Sequence, residues 1–384
     1  CSNVSKSNLL GFAALGWQAL AAKAPETRTN SLCAIALLVL HRPRSSSSCL
    51  TRARATLRPQ HNAFDAEQTR ADALHTKGSH KLQPHKMASD VPEALSKFAD
   101  ELADAAGAVI RKYWRTRVEV ISKDARLDVF GDEPVTIADR ESERVMRDMI
   151  EQRYPAHAIL GEEHGAKGDG KTSEWAWVLD PVDGTKSFIT GKPLFGTLIA
   201  LLNYGKPVLG VIDQCVLKER WKGTLQKTTF NGRPCSTDDC TSLNEAMVYA
   251  TTPEMFAPGL ETRAWNYLSS RCKRALYGCD CYAYGLCASG SVQLVCEADL
   301  MPYDYLAVVP VVVGAGGLIT DWEGRPLTLP NHDQSKGRVL CAANAKLHSE
   351  ALAALKKAPP FSRVARDAFL LGLACGVAAM AFLR

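Results

Sequence analysis

The chain reads as an α/β protein of the layered α+β kind, and three features predict it. Helical spacing opens the body of the chain at Leu95, Phe98, Leu102, Ala105 and Val109. Apolar runs of strand length follow at 175–179, 194–202 and 207–212. Helical and strand patterns then alternate to residue 355, as expected of packed layers sharing hydrophobic cores. With 384 residues and 46% apolar content, the chain can bury a substantial core in one large domain or two average ones.

Each element has its own signal. Asp90 and Glu93 suggest a capping box ahead of the first helix. Residues 126–132 are polar and contain a glycine, which predicts a loop. Val135-Thr136-Ile137-Ala138-Asp139 leads into a second helix carried by Val145, Met146, Met149 and Ile150. Residues 158–161 form a short apolar strand, and Asn203-Tyr-Gly205 is the turn between strands 194–202 and 207–212. Asn231-Gly232 is a strong hairpin signal. Residues 246–250 read as a further strand, 282–296 as a buried helix and 305–314 as another. Strands at 318–321 and 339–342 and a closing helix at 347–355 complete the pattern.

The net charge of +5 is unevenly spread. Residues 1–86 hold 12 Lys/Arg against 4 Asp/Glu, whereas 87–384 hold 34 against 37. The body of the chain is mildly acidic, and no nucleic-acid partner is expected. Five of the nine histidines also lie in 1–86. The thirteen cysteines include no C-x-x-C pair and sit mostly in apolar runs, which predicts buried free thiols in a reducing compartment.

Residues 1–86 read as a leader, or as sequence upstream of a start at Met87. His41-Arg-Pro-Arg-Ser-Ser-Ser-Ser-Cys-Leu-Thr-Arg-Ala-Arg54 is rich in Ser and Arg and free of acids, as transit peptides are. A plastid is the expected location, and the cytosol the alternative if translation starts at Met87. Residues 361–384 form a tail whose stretch 368–383 is uncharged and mostly apolar. As a helix it would span about 24 Å, short of the ~30 Å hydrocarbon core, so membrane contact is an open expectation. The domain between, 87–360, carries the chemistry.

Its centre is Trp175-Ala-Trp-Val-Leu-Asp180-Pro-Val-Asp183-Gly-Thr185. An apolar strand delivers two carboxylates three residues apart, followed at once by a Gly-Thr pair. Hard divalent cations take oxygen ligands and share them with substrate phosphate. Gly184 permits close backbone approach to a ligand. Asp-Pro and Asp-Gly pairs also make ordinary turns, so two further acidic elements matter. Ala158-Ile-Leu-Gly161-Glu162-Glu163-His164-Gly165 ends a short strand in paired carboxylates, and Met301-Pro-Tyr303-Asp304 opens a helix with another.

Together G-E-E, D-P-V-D-G-T and the late Asp304 before Gly314-Ala-Gly316-Gly317 resemble the inositol monophosphatase superfamily of Mg²⁺-dependent phosphatases. Within it the chain is most similar to the histidinol-phosphate phosphatases of plants and bacteria. The residues that carry the subgroup are 183–200, Leu276-Tyr-Gly-Cys279-Asp280-Cys-Tyr-Ala-Tyr284 and Pro302-Tyr303-Asp304. The resemblance spans roughly residues 90 to 356 and implies a five-layer αβαβα sandwich and a homodimer. It implies that Glu162, Asp180, Asp183, Asp304 and the carbonyl of Val182 hold two or three Mg²⁺ ions. It further implies that Thr185, paired with Asp139, orients a metal-activated water, and that the amides of Gly184 and Thr185 hold phosphate. Glu297, seven residues before Asp304, matches the substrate-contacting Glu, and Asp280, in the subgroup stretch, is expected to face a cationic substrate end.

The expected reaction is hydrolysis of a small phosphate monoester, with histidinol phosphate as the first substrate. Inositol phosphate or another sugar phosphate is the alternative, and a non-catalytic tethered scaffold is the alternative of another class. Glu163 is expected at the surface or behind Glu162, and His164 has no expected role. The approach Asp132-Glu133-Pro134-Val135 departs from the family, which has Ser before Pro-Val.

Overall fold

A computed structural model of the chain describes residues 91–117, 120–122 and 134–358. The expected leader (1–86), the 126–132 loop and the apolar tail (361–384) lie outside the described residues. Helix α1 (Glu93–Tyr113) starts behind Pro92, which offers no side-chain cap. The carbonyl of Pro92 accepts from Leu95 and Ser96. The capping box expected of Asp90 and Glu93 involves Asp90, which lies outside the described residues. Strands β1 (Val120–Ser122) and β2 (Pro134–Thr136) pair antiparallel. Helix α2 (Ile137–Arg153) does carry a capping box, between Thr136 and Asp139.

The large sheet follows, built from β3 (Ala158–Gly161), β4 (Gly165–Lys167) and β5 (Trp175–Asp183), then, after the short helix α3 (Thr185–Ile189), β6 (Gly196–Asn203), β7 (Lys206–Gln214), β8 (Glu219–Thr224), β9 (Thr228–Phe230) and β10 (Arg233–Pro234). Its order is β10-β9-β8-β7-β6-β5-β3-β4. Tyr204 and Gly205 both take positive φ (48° and 73°), as do Asn231 and Gly232 (49° and 77°). These are the left-handed pairs that a two-residue hairpin turn requires.

The second sheet comes from β11 (Met247–Ala250), helix α4 (Leu260–Ser269), β12 (Arg274–Tyr277), helix α5 (Tyr282–Ala288) and β13 (Leu294–Glu297). Helices α6 (Pro302–Tyr305) and α7 (Val308–Gly314) follow, then β14 (Leu318–Thr320), helix α8 (His332–Ser335), β15 (Val339–Ala342) and helix α9 (Ala345–Lys356). Its order is β12-β11-β13-β15-β14.

Three cores make five layers. The first joins α1 and α2 to one face of the large sheet through Phe98, Leu102, Met146, Trp177 and Ile199. The second joins the other face to α5, α6 and α7 and on to the small sheet, through Trp221, Tyr284, Tyr305, Val311 and Cys341. The third covers the far face of the small sheet with α4 and α9, through Trp265, Leu340 and Leu347. The resulting order is helix, sheet, helix, sheet, helix, as expected. Among the described residues nine cysteines are free thiols.

Two expected helices differ. The run 282–296 is a helix only to Ala288. Gly290 takes φ 78°, its N–H and that of Ser291 close the helix end, and Leu294–Glu297 continues as a strand. Periodicity alone does not separate a short buried strand from a buried helix. The run 305–314 divides into α6 and α7, because Pro310 lacks an N–H and fits only the first turn of a new helix.

Close approach of α7 to the large sheet depends on bare backbone. A Cβ at Gly210 would lie 1.8 Å from the carbonyl oxygen of Ala307, and one at Gly223 would lie 2.4 Å from Cα of Val311. Gly210→Ala is therefore expected to destabilise the fold by about 3 kcal/mol through overpacking. Urea denaturation should show a lower midpoint with an unchanged slope; an unchanged midpoint would contradict this packing.

Candidate active site

Strand β5 is the origin of the site. In a regular strand, residues three apart face opposite ways. Here the register against β6 shifts between Asp180 and Asp183. The irregularity turns both carboxylates to one place, as bulges beside functional sites do. Asp180, 1% exposed, accepts from the N–H of Val182 at 3.1 Å. Thr197 on β6 braces the bulge from behind by donating to the carbonyl of Pro181 at 2.9 Å.

Two other elements close on β5. The N–H of Glu162, just past β3, donates to Leu179 at 3.2 Å. The loop after it is held by Glu143 of α2, which accepts from the N–H of Glu163 (2.7 Å) and of His164 (3.1 Å). Glu143 pairs with Arg147 at 2.7 Å and fills the space where a Cβ on Gly161 would stand. From the other side, Asp304 sits in α6 and accepts from the N–H of Met301 at 2.7 Å.

Oxygens of Asp180, Asp183 and Asp304 lie within 4.8 Å of one another, an arrangement that can hold a metal ion. Burial, followed by the charges of Glu162, Asp183 and Asp304, pushes Asp180 well above the usual carboxylate range. Burial and Asp280 raise Asp183, and burial, Asp183 and Glu162 raise Asp304. The same couplings put Glu162 at the cluster. The donors are all oxygen, which fits a hard divalent cation. Cys281 is adjacent, but burial and Asp183 raise its thiol well above its usual value, so it stays neutral.

Thr185 and Asp139 meet as expected. The Thr185 hydroxyl lies 3.2 Å from Oδ1 of Asp139 and 3.1 Å from the carbonyl of Val182. A hydroxyl has one proton, so it donates to one of these acceptors at a time. Oδ2 of Asp139 accepts from Thr136, so this carboxylate caps α2 and also reaches the site. Gly184 adopts φ 87° and packs directly under the Asp280 carboxylate, where a Cβ would come within 3.0 Å.

The two expected substrate contacts sit on either side of α5. Asp280, at φ 47°, accepts from the Ser187 hydroxyl at 3.0 Å. The following N–H, of Cys281, donates to Asp183. Glu297 is 2% exposed; Thr251 donates to its Oε1 and Tyr284 to its Oε2. Burial chiefly pushes Glu297 up to about 7.

Glu163 is not at the surface: its side chain is 3% exposed, 3.9 Å from Arg140. His164 is exposed, its ring against the carbonyl of Arg140. Residues with no role read from the sequence include Glu143 and Thr251, and also Ser187 and Tyr284, which stand in the subgroup stretches without an assigned role. Glu143 left a separate trace, four residues before Arg147 on one helix face. A cavity of about 420 Å³ lined by Asp104, Arg111, Asp213 and Arg220 includes none of the site residues.

Fold and site together define a layered α/β protein with a metal-competent carboxylate cluster between its sheets. Residues 92–359 match the inositol monophosphatase family, and the chain belongs to that family of phosphatases. It is 46% identical over 277 residues to an Arabidopsis thaliana protein named bifunctional phosphatase IMPL2, chloroplastic, covering 71% of this chain and 78% of the relative. It is 32% identical over 253 residues to a histidinol-phosphatase of Chlorobaculum parvum, covering 64% and 95%. Among solved structures, an inositol monophosphatase from Zymomonas mobilis matches with a TM-score of 0.61 at 38% identity, covering 70% of this chain and 99% of that one.

A carboxylate whose pKa is raised on folding stabilises the fold below its unfolded value, near 4, and that contribution is lost as pH rises through the folded value. Asp180, Asp183 and Asp304 therefore oppose folding at neutral pH until a cation replaces their protons. The gain in Tm on adding Mg²⁺ should be larger at about pH 8 than at about pH 5.5, and Asp183→Asn should shrink it. An equal gain at both pH values, or in the variant, would contradict the assignment.

Proposed function

We infer that this chain hydrolyses histidinol phosphate, with Mg²⁺ held by Asp180, Asp183, Asp304, Glu162 and the Val182 carbonyl. The convergence of the Asp180, Asp183 and Asp304 oxygens within 4.8 Å of one another supports the metal site. Bound Mg²⁺, two or three ions, would supply Lewis acidity toward phosphate and toward a water. The protein does the rest. The amides of Gly184 and Thr185 hold phosphate oxygens. Asp139 takes the Thr185 proton in a hydrogen bond, leaving a Thr185 lone pair to orient the attacking water. Water oxygen bonds to phosphorus, the ester P–O bond breaks, and the alcohol leaves with a proton.

Charge supports the cationic substrate. Glu162, Asp180, Asp183 and Asp304 are offset by metal ions. Asp280 and Glu297 lie close enough to raise Asp183, yet belong to no metal set. Lys192 and Lys186 offset part of the Asp280 charge, and an amine and an imidazole are the groups that would complete the balance. A polyol phosphate would offer Glu297 only hydroxyls. The compartment proposed is the plastid, supported by the Ser/Arg-rich stretch 41–54 and by the chloroplastic designation of the Arabidopsis relative.

Phosphate release with Mg²⁺ should be at least about tenfold more efficient on histidinol phosphate than on inositol 1-phosphate, a difference of about 1.4 kcal/mol. Preference for the inositol ester would discard the substrate and keep the metal chemistry; release from neither would favour a scaffold. Thr185→Ala should lower kcat about 100-fold with little change in KM, within the range of general acid–base effects. Full activity in that variant would remove Thr185 from the reaction.

A further inference from the structure

Glu297 is held by three donors from two layers. Thr251, at the end of β11, donates to Oε1 through its N–H at 2.9 Å and its hydroxyl at 2.7 Å. Tyr284, from α5, donates to Oε2 at 2.7 Å. Tyr284 is 1% exposed, so its hydroxyl has no solvent to fall back on. A carboxylate oxygen accepts two hydrogen bonds. Oε2 therefore keeps acceptor capacity for a substrate donor while Tyr284 fixes where it points.

The helix that carries Tyr284 cannot easily shift. A Cβ at Gly285 would lie 2.7 Å from the Trp221 ring, so α5 rests directly on β8. The Cys281 N–H ties the start of α5 to Asp183, and Cys287 packs 3.6 Å from Cys341 of β15. Asp280 lies one turn before Tyr284, and the Ala283 and Tyr284 amides donate to the carbonyls of Asp280 and Cys281. One segment thus presents one carboxylate itself and orients the other, and Ser187 fixes the first.

We propose that Tyr284 determines substrate choice by holding Glu297 beside Asp280, so that the two carboxylates together grip the cationic end of an aminoalkyl phosphate. Tyr284 is a positioning residue: it acts through Glu297 and does not touch the reacting phosphorus. The proposal rests on the cationic-substrate reading above. Removing the hydroxyl keeps the ring that fills the core, but leaves Oε2 without this donor and free to turn. The loss should fall on binding of the cationic end and not on the chemical step.

The test uses the full chain with Mg²⁺ and compares wild type, Tyr284→Phe, Glu297→Gln and the double variant on histidinol phosphate and on inositol 1-phosphate. Tyr284→Phe should raise KM for histidinol phosphate about tenfold, the size expected for one hydrogen bond to a charged group. Its kcat should stay within about twofold, and KM for the inositol ester, whose hydroxyls would make only the weaker hydrogen bonds of neutral donors to Glu297, should rise by less than about threefold. The double variant should lose little more than Glu297→Gln alone, because coupled residues are not additive. Thr251→Val, which removes a donor to the other oxygen, should show the same split if Tyr284→Phe fails to fold. Equal losses on both substrates, no loss on either, or additive losses in the double variant would overturn the proposal. A wild type that favours the inositol ester would overturn the cationic-substrate reading and this proposal with it. A wild type that favours histidinol phosphate, with Tyr284→Phe keeping the same ratio, would overturn this proposal alone.

Discussion

Like-charge crowding governs this structure. Asp180, Asp183 and Asp304 are held with oxygens within 4.8 Å of one another, with Glu162 close enough to raise two of them. Carboxylates so placed repel strongly, and burial adds a desolvation cost. The fold tolerates this because three separate elements are each fixed elsewhere. The bulge of β5 is braced by Thr197, the loop after β3 by Glu143, and α6 by the Met301 amide. The repulsion is thus stored in the scaffold, as a standing demand for cations.

The layers explain where the cluster sits. The end of β5 faces the middle helical layer, and α6 contributes Asp304 from that layer. Glycines on the large sheet let this layer approach to backbone contact, which sets the distance between Asp304 and β5. The turn before α5 links the pieces: the Cys281 amide reaches Asp183, and the Asp280 carboxylate lies over Gly184. The carboxylate cluster, the Gly184 turn, Asp280 and Glu297 therefore share a few rigid connections and do not sit on independent loops.

Much of this was legible in the residues. The strand runs, both left-handed hairpin turns and the helix that follows Val135–Asp139 are short-range signals, and the structure follows them. The Asp180 to Thr185 segment announced its chemistry only beside Glu162 and Asp304, because Asp-Pro and Asp-Gly pairs alone also make ordinary turns. The boundary inside 282–296 was not legible, because buried helix and buried strand share one composition. Nor was the role of Tyr284: it ends a stretch that carries the subgroup resemblance, but only the fold brings its hydroxyl to Glu297. Glu143 was hidden likewise, since a charge on a helix shows its burial only after the loop at 161–164 has packed against it.

The most direct measurement is the anomalous scattering of Mn²⁺ in crystals of the protein soaked with manganese. The account predicts peaks bridging Asp180, Asp183 and Asp304 at about 2.1 Å from their oxygens. Peaks found elsewhere, with none between these three side chains, would contradict it.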